Sequence, residues 1–232
     1  MKILINGGTG LLGSNLIKIL EKDHQVFAPT RNYLDITDYT SVDKQFFGFN
    51  PDVVIHCAAI AKFAIAEAKP LETLNTNIGG TLNIVKACML YKTKMIYIST
   101  SHVFDGEKGN YKSTDKINPL TKYSRSKAAG EMATLIYNNS LVIRTEFCEE
   151  TFPFETAYVD KFSSKEYIDV IAPKIAEKCI SDQTGICHVG GPRRSFYEFG
   201  KLRNPDVKEG SVKGLIQKSN VPILIDTSLI SD

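Results

Sequence analysis

Three features of this 232-residue sequence predict an α/β chain built on a doubly wound parallel sheet. Short apolar runs alternate with helical patterns through residue 145. The runs are apolar on both faces, as strands covered by helices on each side must be. A glycine-rich loop separates the first run from the first helical pattern. Right-handed crossovers between parallel strands then place helices on both faces of the sheet.

Residues 2–6 (KILIN) read as the first strand. The helix over 11–21 follows, with Leu12, Leu16, Ile19 and Leu20 on one face. Residues 25–28 form the second strand. A helix over 38–47 begins at Asp38, whose short acceptor side chain suits an N-cap. After the Asn50-Pro51-Asp52 turn, residues 53–56 are the third strand. Residues 71–89 read as one long helix, 94–99 as the fourth strand, 122–137 as a helix and 141–144 as the fifth strand. Beyond Arg144 the rhythm breaks. The stretch 145–165 is aromatic and charged without a period, and Phe147, Phe152, Phe154, Tyr158 and Phe162 suggest a segment that covers substrate. A helix over 169–181 carries Pro173, tolerable in or near the first turn, where N–H groups lack partners. Residues 186–189 are a strand, and Ser195 with Glu198 has capping-box spacing. The expected organisation is a dinucleotide-binding domain over 1–145 and a small, reduced substrate lobe over 146–232, interleaved with it.

A net charge of +2, with 43% hydrophobic and 23% charged residues, excludes disorder and gives no basic footprint for nucleic acid. No apolar run reaches membrane-spanning length, and the N-terminus breaks into glycines too early for a signal peptide. Five scattered cysteines without a CxxC pair predict reduced thiols, a cytoplasmic setting and no metal site.

The loop Asn6-Gly7-Gly8-Thr9-Gly10-Leu11-Leu12-Gly13 contains G-x-G-x-x-G and the wider G-x-x-G-x-x-G. Such glycines serve a tight turn, close backbone approach to a pyrophosphate, and packing of helix on sheet. The helix start adds unpaired N–H groups and the positive dipole end. Gly7, Thr9, Gly10, Leu11, Leu12 and Gly13 are therefore the expected dinucleotide contacts. The second strand leads into Phe27-Ala28-Pro29-Thr30-Arg31-Asn32, with no acid for a ribose 2′-hydroxyl and a cation at its end. A guanidinium fork suits a 2′-phosphate, so Arg31 favours NADP(H) over NAD(H). Tyr123 and Lys127, spaced i, i+4, share a helix face, where the ammonium favours the phenolate and lowers the tyrosine pKa.

With the glycine loop, that pair resembles the extended short-chain dehydrogenase/reductases, whose Tyr-x-x-x-Lys follows a Ser/Thr at the end of the fourth strand. The segment Tyr97-Ile98-Ser99-Thr100-Ser101-His102-Val103-Phe104-Asp105-Gly106 resembles the "YSTDYVFDG" stretch of the dTDP-4-dehydrorhamnose reductase branch. So do Leu34-Asp35-Ile36-Thr37-Asp38, residues 51–59 (PDVVIHCAA), 77–81 (NIGGT), 109–112 (GNYK) and 118–120 (NPL). The resemblance is dense over 1–145, thinner over 165–205 and faint beyond. It implies a Rossmann-type fold and catalysis by Thr100, Tyr123 and Lys127. Asp35 and Ile36 would lie near the adenine, and Ala58 and Ala59 along the cofactor channel. Thr100, Ser101, His102 and Tyr123 would contact substrate. Ser101-His102 replaces the Asp-Tyr of that branch, and the missing Asp-Glu pair argues against dehydration chemistry.

The expected reaction is hydride transfer from NADPH to the keto group of a nucleotide-linked 4-keto-6-deoxy sugar. A nucleotide-sugar 4-epimerase and a non-catalytic NADP-binding regulatory subunit are the alternatives, and a homodimer is left open. His56 and His188 read as packing residues. Arg193-Arg194 either grips a diphosphate or forms a solvated turn. Lys161, Lys165 and Glu166 read as a solvated face.

Overall fold

The structure, a computed structural model, describes residues 1–216, 219 and 221–231. Its elements in chain order begin with β1 (Lys2–Asn6), α1 (Leu11–Leu20), β2 (Gln25–Phe27), α2 (Tyr39–Phe49) and β3 (Val53–His56). Next come α3 (Phe63–Ala68), α4 (Pro70–Thr73), a π-helical turn (Leu74–Gly80), α5 (Thr81–Tyr91), β4 (Lys94–Thr100), α6 (Lys122–Thr134) and β5 (Ser140–Thr145). Four short strands follow: β6 (Phe147–Cys148), β7 (Thr156–Tyr158), β8 (Phe162–Ser163) and β9 (Glu166–Tyr167). The chain continues through α7 (Ile168–Ile180), β10 (Gly185–Val189), β11 (Arg194–Ser195), α8 (Phe196–Lys201), β12 (Lys208–Gly210) and α9 (Lys213–Ile216).

Six strands form one parallel sheet in the order β10-β5-β4-β3-β1-β2. Strand periodicity divides the core into two layers. Ile3, Ile5, Ile55, Ile96 and Ile98 face α1 and α7, meeting Leu12, Leu16, Ile171 and Ile175. Leu4, Val54, Met95 and Tyr97 face the other way, onto Val42 and Phe46 of α2 and Ile84 and Cys88 of α5. This is the doubly wound arrangement expected from the sequence. The strand order reverses between β1 and β3, and open α/β sheets bind ligands in the crevice beyond the strand ends at that point.

Several local expectations are corrected. The helix expected over 71–89 is α4, the π-turn and α5 in succession, preceded by the unforeseen α3. The π-turn buries Asn77, whose amide accepts from Ile60 N at 2.7 Å and donates to Ser126 Oγ at 2.9 Å. Satisfying those groups outweighs regular i→i+4 bonding there. Helix α3 is six residues long and buries only Ala66, so it leaves almost no hydrophobic period to read. Pro173 lies six residues into α7, beyond the free first turn. The bond it denies to the Asp169 carbonyl is lost at an exposed residue, where water can replace it. Asp38 caps α2 by accepting from Thr40 N at 2.9 Å, and Ser195 and Glu198 form the capping box of α8.

Within 146–232, α7 and β10 complete the central sheet and its helical layer. The remaining pairs, β6–β9, β7–β12 and β8–β11, form an annex around Phe152, Tyr167, Phe199 and Val207. The segment after Leu224 threads back through the molecule: Tyr111 N donates to Ser228 O at 2.9 Å and Ile230 N to Tyr111 O at 2.8 Å. Among the described residues, no helix is long and apolar enough to cross a membrane.

Candidate active site

The glycine loop turns at the switch point with Gly7 at φ +77°, a conformation that suits glycine. A Cβ on Gly7 would lie 2.6 Å from Ala58 N, and one on Gly13 would lie 2.4 Å from Gly7 O. These two glycines therefore let β1, β3 and α1 converge. Gly10 meets only Gly7 O at 3.3 Å and caps α1 without a side-chain hydrogen bond. The first N–H groups of α1 thus face a cavity of about 280 Å³ lined by Gly7, Thr9, Gly10, Asp35, Ala58 and Ala59, with Arg31 and Ile36 at its side. Leu11, Leu12 and Gly13 do not line it. The Leu12 side chain is in the core, so these three residues can offer the cavity only backbone.

At the mouth Arg31 Nε lies 3.7 Å from Asp35 Oδ2, both side chains being exposed. Hydrogen bonds from Thr37 hold the Asp35 carboxyl below its usual range, helped by the Arg31 guanidinium. Asp35, expected from the resemblance to lie near the adenine, thus lines this cavity four residues beyond the cation.

A second cavity, of about 250 Å³, shares Cys57 and Ala59 with the first. Thr100, at the end of β4, and Tyr123 and Lys127, on the first turns of α6, all line it. Helix and strand are held in register at two successive residues: Lys127 Nζ donates to Ile98 O at 2.7 Å and Ser99 Oγ donates to Glu131 Oε1 at 2.5 Å, which brings Tyr123 to the cavity that Thr100 lines. Gly130 permits this contact, since a Cβ there would strike the Tyr97 hydroxyl at 2.2 Å.

Burial pushes the Tyr123 phenol up to about 12; the Thr100 hydroxyl opposes this and the Glu146 carboxylate adds to it. The depression expected from Lys127 is therefore overturned in the free protein. Lys127 is itself brought down to about 8 by burial, opposed by Glu131, and its ammonium is turned toward Ile98 O and the Tyr97 ring.

His102 reaches this cavity, packed on Phe63, which also packs edge-on against Tyr123; both ring centroids lie 4.9 Å from that of Phe63. Ser101 does not reach it. It is buried beneath, donating to Glu146 Oε2 at 2.9 Å.

Glu146 is the residue that sequence reasoning missed. Its carboxylate pairs with Lys165 at 3.1 Å, accepts from Thr227 Oγ1 at 3.2 Å and lies 3.6 Å from His102 Nε2. Although burial opposes it, Lys165, His102 and the Ser101 hydroxyl hold the group well below the usual carboxylate range. The available signal was its place one residue beyond β5, where α/β sheets gather functional groups.

Lys165 and Glu166 are not a solvated face. Lys165 lines the cavity, and Glu166 is buried against Arg194 at 3.3 Å. Lys161 is half-buried on the Phe196 ring. Arg193 pairs with Asp226 at 2.7 Å over the Phe162 ring, so both arginines already bridge segments of the annex. Of the five aromatic residues in the expected covering segment, only Phe147 lines the cavity. Phe152 packs against Phe199, Phe154 is exposed and Phe162 lies beneath Arg193. His56 is buried, 2.6 Å from Asn6 Oδ1 and 2.9 Å from Thr81 Oγ1, a packing role. His188 is likewise buried, its Nδ1 3.1 Å from Tyr111 O.

A glycine loop at the switch point of a six-stranded parallel sheet, with Thr, Tyr and Lys meeting in an adjoining cavity, defines a short-chain dehydrogenase/reductase of the extended type. The chain belongs to the RmlD substrate binding domain family, whose model matches residues 1–178, within the dTDP-4-dehydrorhamnose reductase branch. It is 32% identical over 224 residues to the dTDP-4-dehydrorhamnose reductase of Aggregatibacter actinomycetemcomitans, covering 85% of this chain and 76% of that protein. It is also 32% identical over 145 residues to methionine adenosyltransferase 2 subunit beta of Bos taurus, covering 59% of this chain and 43% of that protein. In fold it is similar to the dTDP-4-dehydrorhamnose reductase of Bacillus anthracis solved in complex with NADP. The TM-score is 0.90 at 23% identity, covering 100% of this chain and 90% of the other.

Proposed function

We propose that this protein is an NADPH-dependent reductase of a nucleotide-linked 4-keto-6-deoxy sugar. The observation that carries the reading is the convergence of Thr100, Tyr123 and Lys127 on a cavity that joins the glycine-loop cavity at Cys57 and Ala59. The loop fits a dinucleotide: Gly7 and Gly13 leave no room for a Cβ, while Gly10 and the uncapped start of α1 present backbone N–H groups. When bound, NADPH supplies the hydride. Gly7, Thr9, Gly10, Ala58 and Ala59 hold the dinucleotide, and Arg31 meets its 2′-phosphate.

Tyr123 donates its phenolic proton to the developing alkoxide. A phenol held near 12 is almost wholly protonated at neutral pH, the state that a proton donor in the reductive direction requires. The Thr100 hydroxyl orients the carbonyl oxygen beside it. Lys127, one helical turn from Tyr123, supplies the positive charge that stabilises the phenolate left by proton transfer. NADPH consumption with dTDP-4-keto-6-deoxy sugars tests the reaction, and failure to oxidise NADPH with any of them overturns it.

A second reading, a non-catalytic NADP-binding regulatory subunit, draws on the likeness to methionine adenosyltransferase 2 subunit beta. Tyr123→Phe separates the two, since only an enzyme needs that hydroxyl. All five cysteines are free thiols, which supports a cytoplasmic location.

A further inference from the structure

Beside Thr100 the catalytic cavity is also lined by Thr145, its partner across the β4–β5 ladder, and by Glu146, Lys165 and His102. Thr145 is 2% exposed, yet its Oγ1 has no hydrogen-bond partner among the described residues; the same is true of His102 Nδ1. Native structures leave few buried polar atoms unpaired, because each costs free energy unless a ligand or water completes it. Beside them lie an acceptor-only carboxylate and an ammonium with three donors, of which the Glu146 pair uses one direction. Glu146 is held by four residues on three segments: Ser101 and His102 just after β4, Lys165 between β8 and β9, and Thr227 from the returning C-terminal segment. Such bracing holds a recognition group to one geometry.

We propose that Thr145, with the Glu146–Lys165 pair, is a specificity subsite for the hydroxyl on the ring carbon next to the reacting carbonyl. In the 4-keto-6-deoxy sugar this is the C3 hydroxyl, an identification that rests on the reductase reading above. A sugar hydroxyl both donates and accepts, and these groups offer it both kinds of partner. A ketone lacking that hydroxyl would bury the same groups unpaired. Sites built to bond a hydroxyl reject deoxy analogues far more strongly than apolar pockets reject a missing methylene.

The test titrates NADPH-loaded protein with the 4-hydroxy product dTDP-rhamnose and with its 3-deoxy counterpart, and measures NADPH oxidation with the 4-keto sugar separately. Thr145→Val is the main variant, since it keeps the shape of a strand residue and removes a hydroxyl that has no partner to lose. It should weaken dTDP-rhamnose about tenfold, raise KM for the keto sugar more than it lowers kcat, and leave NADPH and the 3-deoxy ligand within about twofold. Glu146→Gln should show the same preference for the hydroxylated ligand in its loss, or unfold; in the latter case the valine variant decides. Equal weakening of both sugars by Thr145→Val, or of neither, overturns the subsite. Tight dTDP-rhamnose binding by the wild type without oxidation of NADPH by the keto sugar overturns the proposed reaction and leaves the subsite standing.

Discussion

Removing the charge of Glu131 should destabilise the protein more than any comparable surface change. Glu131 is fully buried on α6 and Arg144, on β5, is 2% exposed. The guanidinium contacts the carboxylate through Nε at 3.1 and 3.2 Å and through Nη2 at 2.8 Å, and Ser99 Oγ donates to the same group. Arg144 Nη1 also donates to Ser113 O at 3.2 Å, and its plane lies over the Phe104 ring. No other carboxylate is paired with Arg144 among the described residues, so Glu131→Gln leaves a guanidinium in the interior without a counter-charge. Breaking a buried pair from one side costs about 3–5 kcal/mol. That is a large share of the roughly 5–15 kcal/mol by which domains are stable. At roughly 2–4 °C per kcal/mol for a chain of this size, Tm should fall by about 6–20 °C. The assay is urea unfolding of wild type, Glu131→Gln, Arg144→Met and the double variant, read as a thermodynamic cycle. Because the desolvation penalty belongs to the lone charge, the double variant should be more stable than either single one. A Glu131→Gln cost below about 1 kcal/mol, or a double variant weaker than both singles, would refute the reasoning.

Tyr123→Phe should abolish turnover and leave NADPH affinity within about twofold, whereas Lys127→Ala should damage both; paired steady-state kinetics and fluorescence titration check this. Arg31→Asp should weaken NADPH by about 1.5–3 kcal/mol and NADH far less, measured by titration with each, since an anion would then face the 2′-phosphate beside Asp35. Lys127 titrates near 8, below its unfolded value, so its supporting charge is present below that pH and disappears as pH rises through it. The kcat/KM profile should therefore fall above about pH 8, with no contribution from Tyr123 until near 12. By linkage the unfolded chain binds more protons at this lysine between about 8 and 10.5. Its burial therefore opposes folding below pH 8, and that penalty is relieved as pH rises across the interval. Urea unfolding of wild type and Lys127→Met across that range checks the sign.

The sequence by itself determined the doubly wound sheet, because its apolar runs are saturated on both faces and only a strand covered by two helical layers buries them. It also determined the turn at Gly7 and the shared face of Tyr123 and Lys127, since both are local: a positive φ and a four-residue helical spacing need no distant partner. What lay close in sequence but depended on distant contacts was misjudged. The helix after Pro70 is interrupted because Asn77 finds Ile60 and Ser126. Lys165 and Glu166 look like a hydrated run until Glu146, just past β5, and Arg194 bring their counter-charges. Only the tertiary structure decided the state of the site. Burial raises Tyr123 and lowers Lys127, and Glu146 enters because the segment carrying Thr227 returns across the annex to hold it. Desolvation and charge pairing act through space, so a chain read along its length fixes which groups meet on one element but not which groups surround them.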